Sequence, residues 1–177
     1  YLRECSRYAE NSIDEAFLSI ELAFDYRQWG EAMVKKIGMW TGMPVSIGMA
    51  PTRTLAKAAV WFAKKWKGYN KVCIIENEEQ REKALKSLPI EEVWGIGWRG
   101  KSKCDYYGIK NAFDFTEKSE SWVRKLCTIT GVRTWRELKG QSSIESVLTG
   151  DKQTICTSRS FDGIEQDKGK LEMYISN

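Results

Sequence analysis

The order of predicted elements between residues 16 and 75 constrains the fold more than any other feature of the sequence. Apolar runs rich in branched residues predict three strands, which lie at 16–22, 45–49 and 71–75. Apolar residues that recur every three or four positions predict two amphipathic helices, at 27–41 and 52–66. We also predict that residues 2–6 end a preceding helix. Strand, helix, strand, helix, strand is the order of a split βαβ or ferredoxin-like sheet.

The composition changes after residue 76, where predicted strands give way to several short helices separated by glycines. This change predicts an α+β chain with a partial ferredoxin-like domain over 1–76 and a small all-helical domain over 77–140. Residues 141–177 predict a polar linker and then a strand at 153–161, for which no partner strand follows. Because the chain opens with Tyr1 and no Met, and ends without a helix stop or a hairpin partner, we expect it to be a fragment of a longer protein.

Composition limits the chemistry that the motifs can support. With 42% hydrophobic residues in 177, the chain can fill real cores, and a net charge of +4 permits an anionic partner without requiring one. Five scattered cysteines and the absence of histidine argue against a zinc site and for reduced thiols in a cytoplasmic protein. No apolar run reaches the ~20 residues of a bilayer span. Without histidine, any catalysis must rest on carboxylates, lysines or metal ions.

Two adjacent acids, Asp14 and Glu15, stand directly before the first predicted strand, in the segment 12–18 (SIDEAFL). Carboxylates are ionised at neutral pH, and their hard oxygen atoms suit Mg²⁺. Neighbours on a regular strand point to opposite faces, so both acids reach one site only where the backbone turns. We therefore place them at a hairpin tip. A solvated turn has the same local pattern, and the pattern alone favours that alternative.

The second predicted helix starts at a strand end and is basic, with Arg53, Lys57, Lys64, Lys65 and Lys67. The amides and the dipole at a helix N-terminus favour an anion, and ammonium groups on the same side could hold phosphates. A solvated basic face on a helix that packs against the core is the alternative, and it is the commoner arrangement. The position of the helix relative to the acids decides between the two.

The segment 93–97 (VWGIG) is a sharper local signal, and three basic residues follow it: Arg99, Lys101 and Lys103. Gly95 and Gly97 allow backbone amides to face a phosphate, while Ile96 can pin the turn from the apolar side. This is the helix-hairpin-helix pattern for DNA binding that is independent of base sequence. An ordinary tight turn between helices has the same pattern.

Three motifs in a fixed order resemble the Y-family DNA polymerases: 12–18 (SIDEAFL), 47–57 (IGMAPTRTLAK) and 88–97 (LPIEEVWGIG). Two further segments, 133–140 (RTWRELKG) and 153–161 (QTICTSRSF), are similar to the UmuC branch of that family in particular. The resemblance covers nearly the whole chain. It implies a partial palm over 1–76, a thumb over 77–140, and the linker and first strand of a truncated little finger over 141–177.

The resemblance also implies roles for the candidate residues. Asp14 and Glu15 would be two of three catalytic carboxylates that bind Mg²⁺, the third lying outside this chain. Lys64 would contact the triphosphate of an incoming nucleotide, with Arg53 and Lys57 near it. The residues from Gly95 to Gly97, with the basic residues that follow, would track the backbone of duplex DNA.

The function implied is that of a low-fidelity, template-directed translesion polymerase of the SOS response, with primer-template DNA and deoxynucleoside triphosphates as substrates. A sliding clamp, an accessory UmuD-like subunit and a recombinase filament would be partners of the parent protein. The fragment alone is expected to be inactive as a polymerase. The alternative is a noncatalytic DNA-binding module that uses the helix-hairpin-helix.

Overall fold

The fold is described here from a computed structural model of the chain. The structure describes residues 5–12, 14–20, 25–144, 163–164 and 166–176. The chain forms two compact units, Tyr1–Val147 and Leu148–Asn177, and nearly all described elements lie in the first.

The described elements follow the predicted order closely. The strands are β1 Cys5–Ser12, β2 Glu15–Ile20, β3 Ile47–Met49 and β4 Val72–Ile74. The helices are α1 Tyr26–Thr41, α2 Arg53–Lys65, α3 Glu78–Ser87, α4 Gly97–Tyr106, α5 Ala112–Thr116, α6 Glu120–Leu138 and α7 Lys168–Ser176. A 3₁₀ turn at Lys67–Tyr69 lies between α2 and β4, and another at Ile90–Glu92 lies between α3 and α4. The predicted strands at 16–22, 45–49 and 71–75 and the predicted helices at 27–41 and 52–66 are confirmed as β2, β3, β4, α1 and α2, with small differences at their ends.

Strands β1 and β2 form an antiparallel hairpin in which Ser12 pairs with Glu15 and Cys5 with Ile20. The prediction that residues 2–6 end a helix is wrong for Cys5 and Ser6, which belong to β1. The reason is tertiary: β2 requires a hydrogen-bonding partner, and the segment before the turn supplies it. Local periodicity alone does not contain that information.

Strands β3 and β4 are parallel, and α2 connects them as the crossover of a βαβ unit. Helix α2 lies very close to β3, because a Cβ on Gly48 would sit 2.2 Å from the carbonyl oxygen of Ala56 and 2.5 Å from the amide nitrogen of Val60. Only glycine fits this contact. Within the residues described, β1 and β2 form one sheet and β3 and β4 another. The mixed α and β composition of the prediction is thus confirmed, whereas a single ferredoxin-like sheet is not.

One hydrophobic core extends from α2 through the helices after residue 76. Its fully buried large side chains include Leu55, Leu88, Ile90, Ile109, Phe115 and Leu138. Helix α6 bends within its length at Thr128, which has a φ of +61°. In the part of the chain that the structure describes, no helix has both the length and the apolar character that a membrane span needs.

Helix α7, in the second unit, does not appear in the sequence prediction. The missed signal is Asp167, whose carboxylate Oδ1 accepts a hydrogen bond from the Lys170 amide at 3.1 Å, as an N-cap residue does. The strand predicted at 153–161 lies outside the described residues.

Candidate functional site

The hairpin tip holds the two predicted acids. Asp14 lies exposed in the turn, and Glu15 is the half-buried first residue of β2. The prediction that both stand at a hairpin tip is confirmed. The backbone turn between β1 and β2 therefore removes the geometric objection that adjacent strand residues face opposite ways.

Helix α2 presents its N-terminal half to this hairpin. Thr52 caps the helix, its Oγ1 accepting a hydrogen bond from the Leu55 amide. Arg53, Lys57 and Lys64 are spaced by four and seven residues, so they form one stripe along the helix. A rise of 1.5 Å per residue puts Lys64 about 10 Å beyond Lys57 along the axis.

An ion pair joins the acidic tip to the basic stripe. The Lys57 Nζ lies 3.0 Å from Glu15 Oε2, and both side chains are partly buried. The Arg53 guanidinium stacks over the Phe17 ring at 5.1 Å from its centroid, two residues further along β2. The structure thus brings Glu15, Arg53 and Lys57 together. A functional role for the basic helix requires that it lie close to the acids, and it does.

Trp94 closes the other side of this cluster and was missed as a site residue by the sequence analysis. Its ring lies 5.7 Å from that of Phe17, and Lys57 Nζ is 4.7 Å from its centroid. The ammonium of Lys57 therefore lies between a carboxylate and an aromatic face, both of which favour a cation. Because Trp94 belongs to the segment 93–97, this contact also links the hairpin tip to the predicted DNA-binding turn.

A buried glutamate of α6 fixes the N-terminus of α2. Glu137 has no exposed surface, and its Oε2 accepts hydrogen bonds from the Thr54 amide at 2.8 Å and the Thr54 hydroxyl at 2.9 Å. Its Oε1 accepts from the amides of Ser143 and Ile144 at 3.2 and 3.0 Å. The Thr52 hydroxyl donates to the Glu137 carbonyl at 2.8 Å. The Glu137 carboxylate of α6, placed beside the first turn of α2, also complements the dipole of α2.

The segment 93–97 forms a glycine turn directly before α4. Gly95 and Gly97 have φ values of +88° and +56°, and Ile96 between them is only 7% exposed. The apolar residue of the turn is therefore buried, as an anchor would be. No side chain caps α4 at Ile96, and a Cβ on Gly97 would meet nothing within 4 Å. The backbone at Gly97 is therefore open to an approaching group. The element before the glycine turn is a 3₁₀ turn, where the helix-hairpin-helix pattern has an α-helix.

The basic residues after this turn separate onto different sides of α4. Lys101 Nζ lies 2.9 Å from Glu91 Oε1, and this contact raises the pKa of Lys101 and lowers that of Glu91. Lys103 Nζ instead contacts the Leu126 carbonyl of α6 at 3.4 Å. Two residues apart on a helix are about 200° apart in direction, so these lysines do not act at one place. The Arg99 side chain lies outside the described part of the structure.

Comparison with known proteins finds similarity to one family. Residues 1–60 match the family model described as the impB/mucB/samB family. UmuC of Salmonella typhimurium is 36% identical over 155 residues, which cover 85% of this chain and 37% of UmuC. The chain is thus similar to proteins of this family over most of its length. The predicted resemblance to the UmuC branch of the Y-family polymerases is thereby confirmed.

A more distant curated protein and a solved structure are also similar to the chain. DNA polymerase IV 1 of Halalkalibacterium halodurans is 30% identical over 125 residues, covering 69% of the chain and 29% of that protein. A crystal structure of a DinB-family error-prone DNA polymerase from Sulfolobus solfataricus superposes with a TM-score of 0.65 at 20% identity, covering 81% of the chain and 44% of that structure. The chain spans only 37% to 40% of the length of its UmuC-type relatives.

The oxygen atoms of the hairpin tip in this chain suit a hard cation only in part. Asp14 and Glu15 offer carboxylate oxygens at one hairpin tip, which are the ligands that Mg²⁺ prefers. Among the residues that the structure describes, no group of three potential metal ligands comes together. Lys57 also balances the charge of Glu15 at 3.0 Å. The two acids alone therefore do not make up a complete set of metal ligands.

Proposed function

We propose that this chain is the palm-to-thumb part of a low-fidelity, template-directed DNA polymerase that acts opposite damaged bases. The observation that carries the proposal is the contact of Glu15 with Lys57, because it joins the acidic tip to the basic stripe of α2. Of the alternatives that the motifs left open, a solvated turn and a solvated helix face would not require this contact. The similarity to the impB/mucB/samB family and to UmuC supports the same function.

In this proposal the acids and the stripe divide the work of phosphoryl transfer. Divalent ions such as Mg²⁺, when bound by Asp14 and Glu15, would neutralise charge on the reacting phosphate and on the leaving pyrophosphate. Lys57 holds the Glu15 carboxylate in place through its ion pair. Arg53 and Lys64, on the same stripe, lie where the phosphates of a deoxynucleoside triphosphate would extend along α2.

The turn from Gly95 to Gly97 would hold the backbone of primer-template DNA. Its open glycine and the uncapped first turn of α4 offer backbone amides to a phosphate. Lys101 stands one turn further on and could exchange Glu91 for a phosphate, with Arg99 beside it in sequence. In this assignment residues 1–76 act as palm, 77–140 as helix-hairpin-helix thumb, and 141–177 as the linker and start of a little finger.

The remaining proposals concern the parent protein. A polymerase of the SOS response works in the cytoplasm, on DNA that a sliding clamp holds, and it is regulated by an accessory UmuD-like subunit and a recombinase filament. We expect the segments that contact these three partners to lie in other parts of the parent protein, since the chain spans only 37% to 40% of the length of its relatives.

A noncatalytic DNA-binding module is the second candidate. One observation favours it: Glu15 already has a cationic partner at 3.0 Å, which competes with a metal for the same oxygen. In that case the glycine turn would bind duplex DNA, and the acids would only stabilise the hairpin against α2.

Primer extension by the longer protein that contains this chain separates the two candidates. We expect Asp14→Asn and Glu15→Gln each to lower the extension rate by at least about 100-fold, since each removes a metal ligand at the reacting phosphate. Glu117→Gln, at an exposed acid of the helical part, is the matched control and should leave the rate unchanged. Full activity of both tip variants, with DNA binding retained, would refute the polymerase assignment and favour the module.

A further inference from the structure

Three aromatic rings form a connected row on the surface of the helical part, away from the glycine turn. The rings of Tyr106 and Tyr107, at the end of α4, lie 5.1 Å apart edge to face. Tyr107 in turn meets Trp122 of α6 at 5.2 Å, also edge to face. Tyr106 is 83% exposed and Tyr107 50% exposed. Exposed aromatic side chains that adjoin one another, as these do, are typical of an interaction surface.

Basic side chains flank the row. Tyr106 and Tyr107 line an open groove of about 410 Å³ between α4 and α6, and Lys103 and Lys125 lie in its walls. Lys118 adds a third ammonium, 5.9 Å from the centre of the Trp122 ring. The groove therefore combines flat apolar faces with positive charge along its length.

Acidic residues near the row do not cancel this charge. Glu120, in the first turn of α6, forms ion pairs with Arg124 at 3.0 Å and with Arg136 at 2.9 Å. Asp105 is the acid adjacent to the tyrosines in α4, whereas Lys103 and Lys125 line the groove and Lys118 lies at Trp122. An acidic or purely apolar protein surface would match only one half of this pattern, whereas a nucleic-acid strand offers bases and phosphates together.

We propose that this groove binds single-stranded DNA, with bases stacking on Tyr106 and Tyr107 and phosphates held by Lys103 and Lys125. Single strands are suited to such a surface because every base has a face that can stack on an aromatic ring. A duplex keeps its bases stacked on one another and cannot use the rings in this way. The site goes beyond the proposed duplex-binding turn, because Lys103 points to α6 while Lys101 stays with Glu91.

Fluorescence anisotropy with a labelled oligothymidylate of about ten nucleotides tests the groove on the full chain. Tyr106→Ala should weaken binding by about 5- to 100-fold, because one base loses its stacking partner. Tyr106→Phe keeps the ring and should bind like the unaltered chain. Lys125→Gln should weaken binding and flatten its dependence on salt, since one phosphate contact is lost.

An abasic oligonucleotide of the same length supplies the phosphates without bases, and it should bind weakly and respond little to Tyr106→Ala. Equal binding of the two oligonucleotides, or an unchanged affinity of Tyr106→Ala for oligothymidylate, would overturn the proposal and favour a protein partner. Because Tyr106 is so exposed, its variants should keep the thermal midpoint of the chain. Gly97→Asp separates the two sites: it should weaken duplex binding and leave oligothymidylate binding intact.

Discussion

Glu137→Gln tests the contact that fixes α2 against α6. The substitution keeps the size and shape of the side chain but replaces one acceptor oxygen by an amide group that can only donate. Either the two groups of Thr54 or the amides of Ser143 and Ile144 then face a donor instead of an acceptor. No cavity forms, so the change isolates the hydrogen bonds.

The expected loss follows from these contacts. A hydrogen bond to a charged group contributes about 1.5–3 kcal/mol, and two such bonds are lost on one side of the amide. Relief of the cost of burying a charge offsets part of this loss. We therefore expect the free energy of unfolding to fall by about 2–4 kcal/mol, a large share of the ~5–15 kcal/mol that holds a typical domain.

Urea denaturation measures this change. With an m value of about 2 kcal/mol/M, the midpoint should fall by about 1–2 M urea while m stays constant. Glu117→Gln, at an exposed acid, is the matched control. It should change the free energy of unfolding by less than about 0.5 kcal/mol. A loss below about 1 kcal/mol for Glu137→Gln would show that the four hydrogen bonds of this carboxylate do not stabilise the fold as argued.

Three further changes have defined outcomes. Gly48→Ala should lower the free energy of unfolding by at least about 1–3 kcal/mol in urea denaturation, because its Cβ would overlap the Ala56 carbonyl at 2.2 Å; an unchanged midpoint would contradict the close packing. A hydrogen bond from the Cys104 thiol lowers the pKa of Cys127 to about 7. The alkylation rate of Cys127 should therefore rise as pH increases through 7, with Cys127→Ser as the control. A rise only above pH 9 would exclude the pairing of these two thiols. Lys57→Met should cost less than about 1 kcal/mol, since its ion pair with Glu15 is only partly buried; a much larger loss in urea would mean that the pair is structural.

The elements that sequence patterns predict well are those whose signals are local. The alternation of β3, the apolar periodicity of α2 and the acids at the start of β2 all act within a few residues, and each of these elements is found close to where it was expected. The same holds for the turn from Gly95 to Gly97, whose positive φ values require glycine or a residue that tolerates them.

The features that were missed depend on contacts between distant segments. Glu137 lies in the segment 133–140 (RTWRELKG), where an acid in a helical pattern normally indicates a solvent face. Only the arrival of the α2 N-terminus, more than eighty residues earlier in the chain, makes it a buried acceptor. Strand β1 likewise gains its conformation from pairing with β2, and Trp94 gains its place beside Lys57 from the packing of α2 on the glycine turn.

Binding of the chain to a primer-template duplex, followed by fluorescence anisotropy across a salt series, tests the central claim most directly. Gly97→Asp places a negative charge where the backbone is open, and Gly42→Asp is the matched control, because Gly42 also has a positive φ and open space around it. We predict a negative salt slope for the unaltered chain and for Gly42→Asp, and at least about tenfold weaker binding for Gly97→Asp at low salt. Equal binding by all three proteins, or binding that ignores salt, would contradict the assignment of the glycine turn as a DNA clamp.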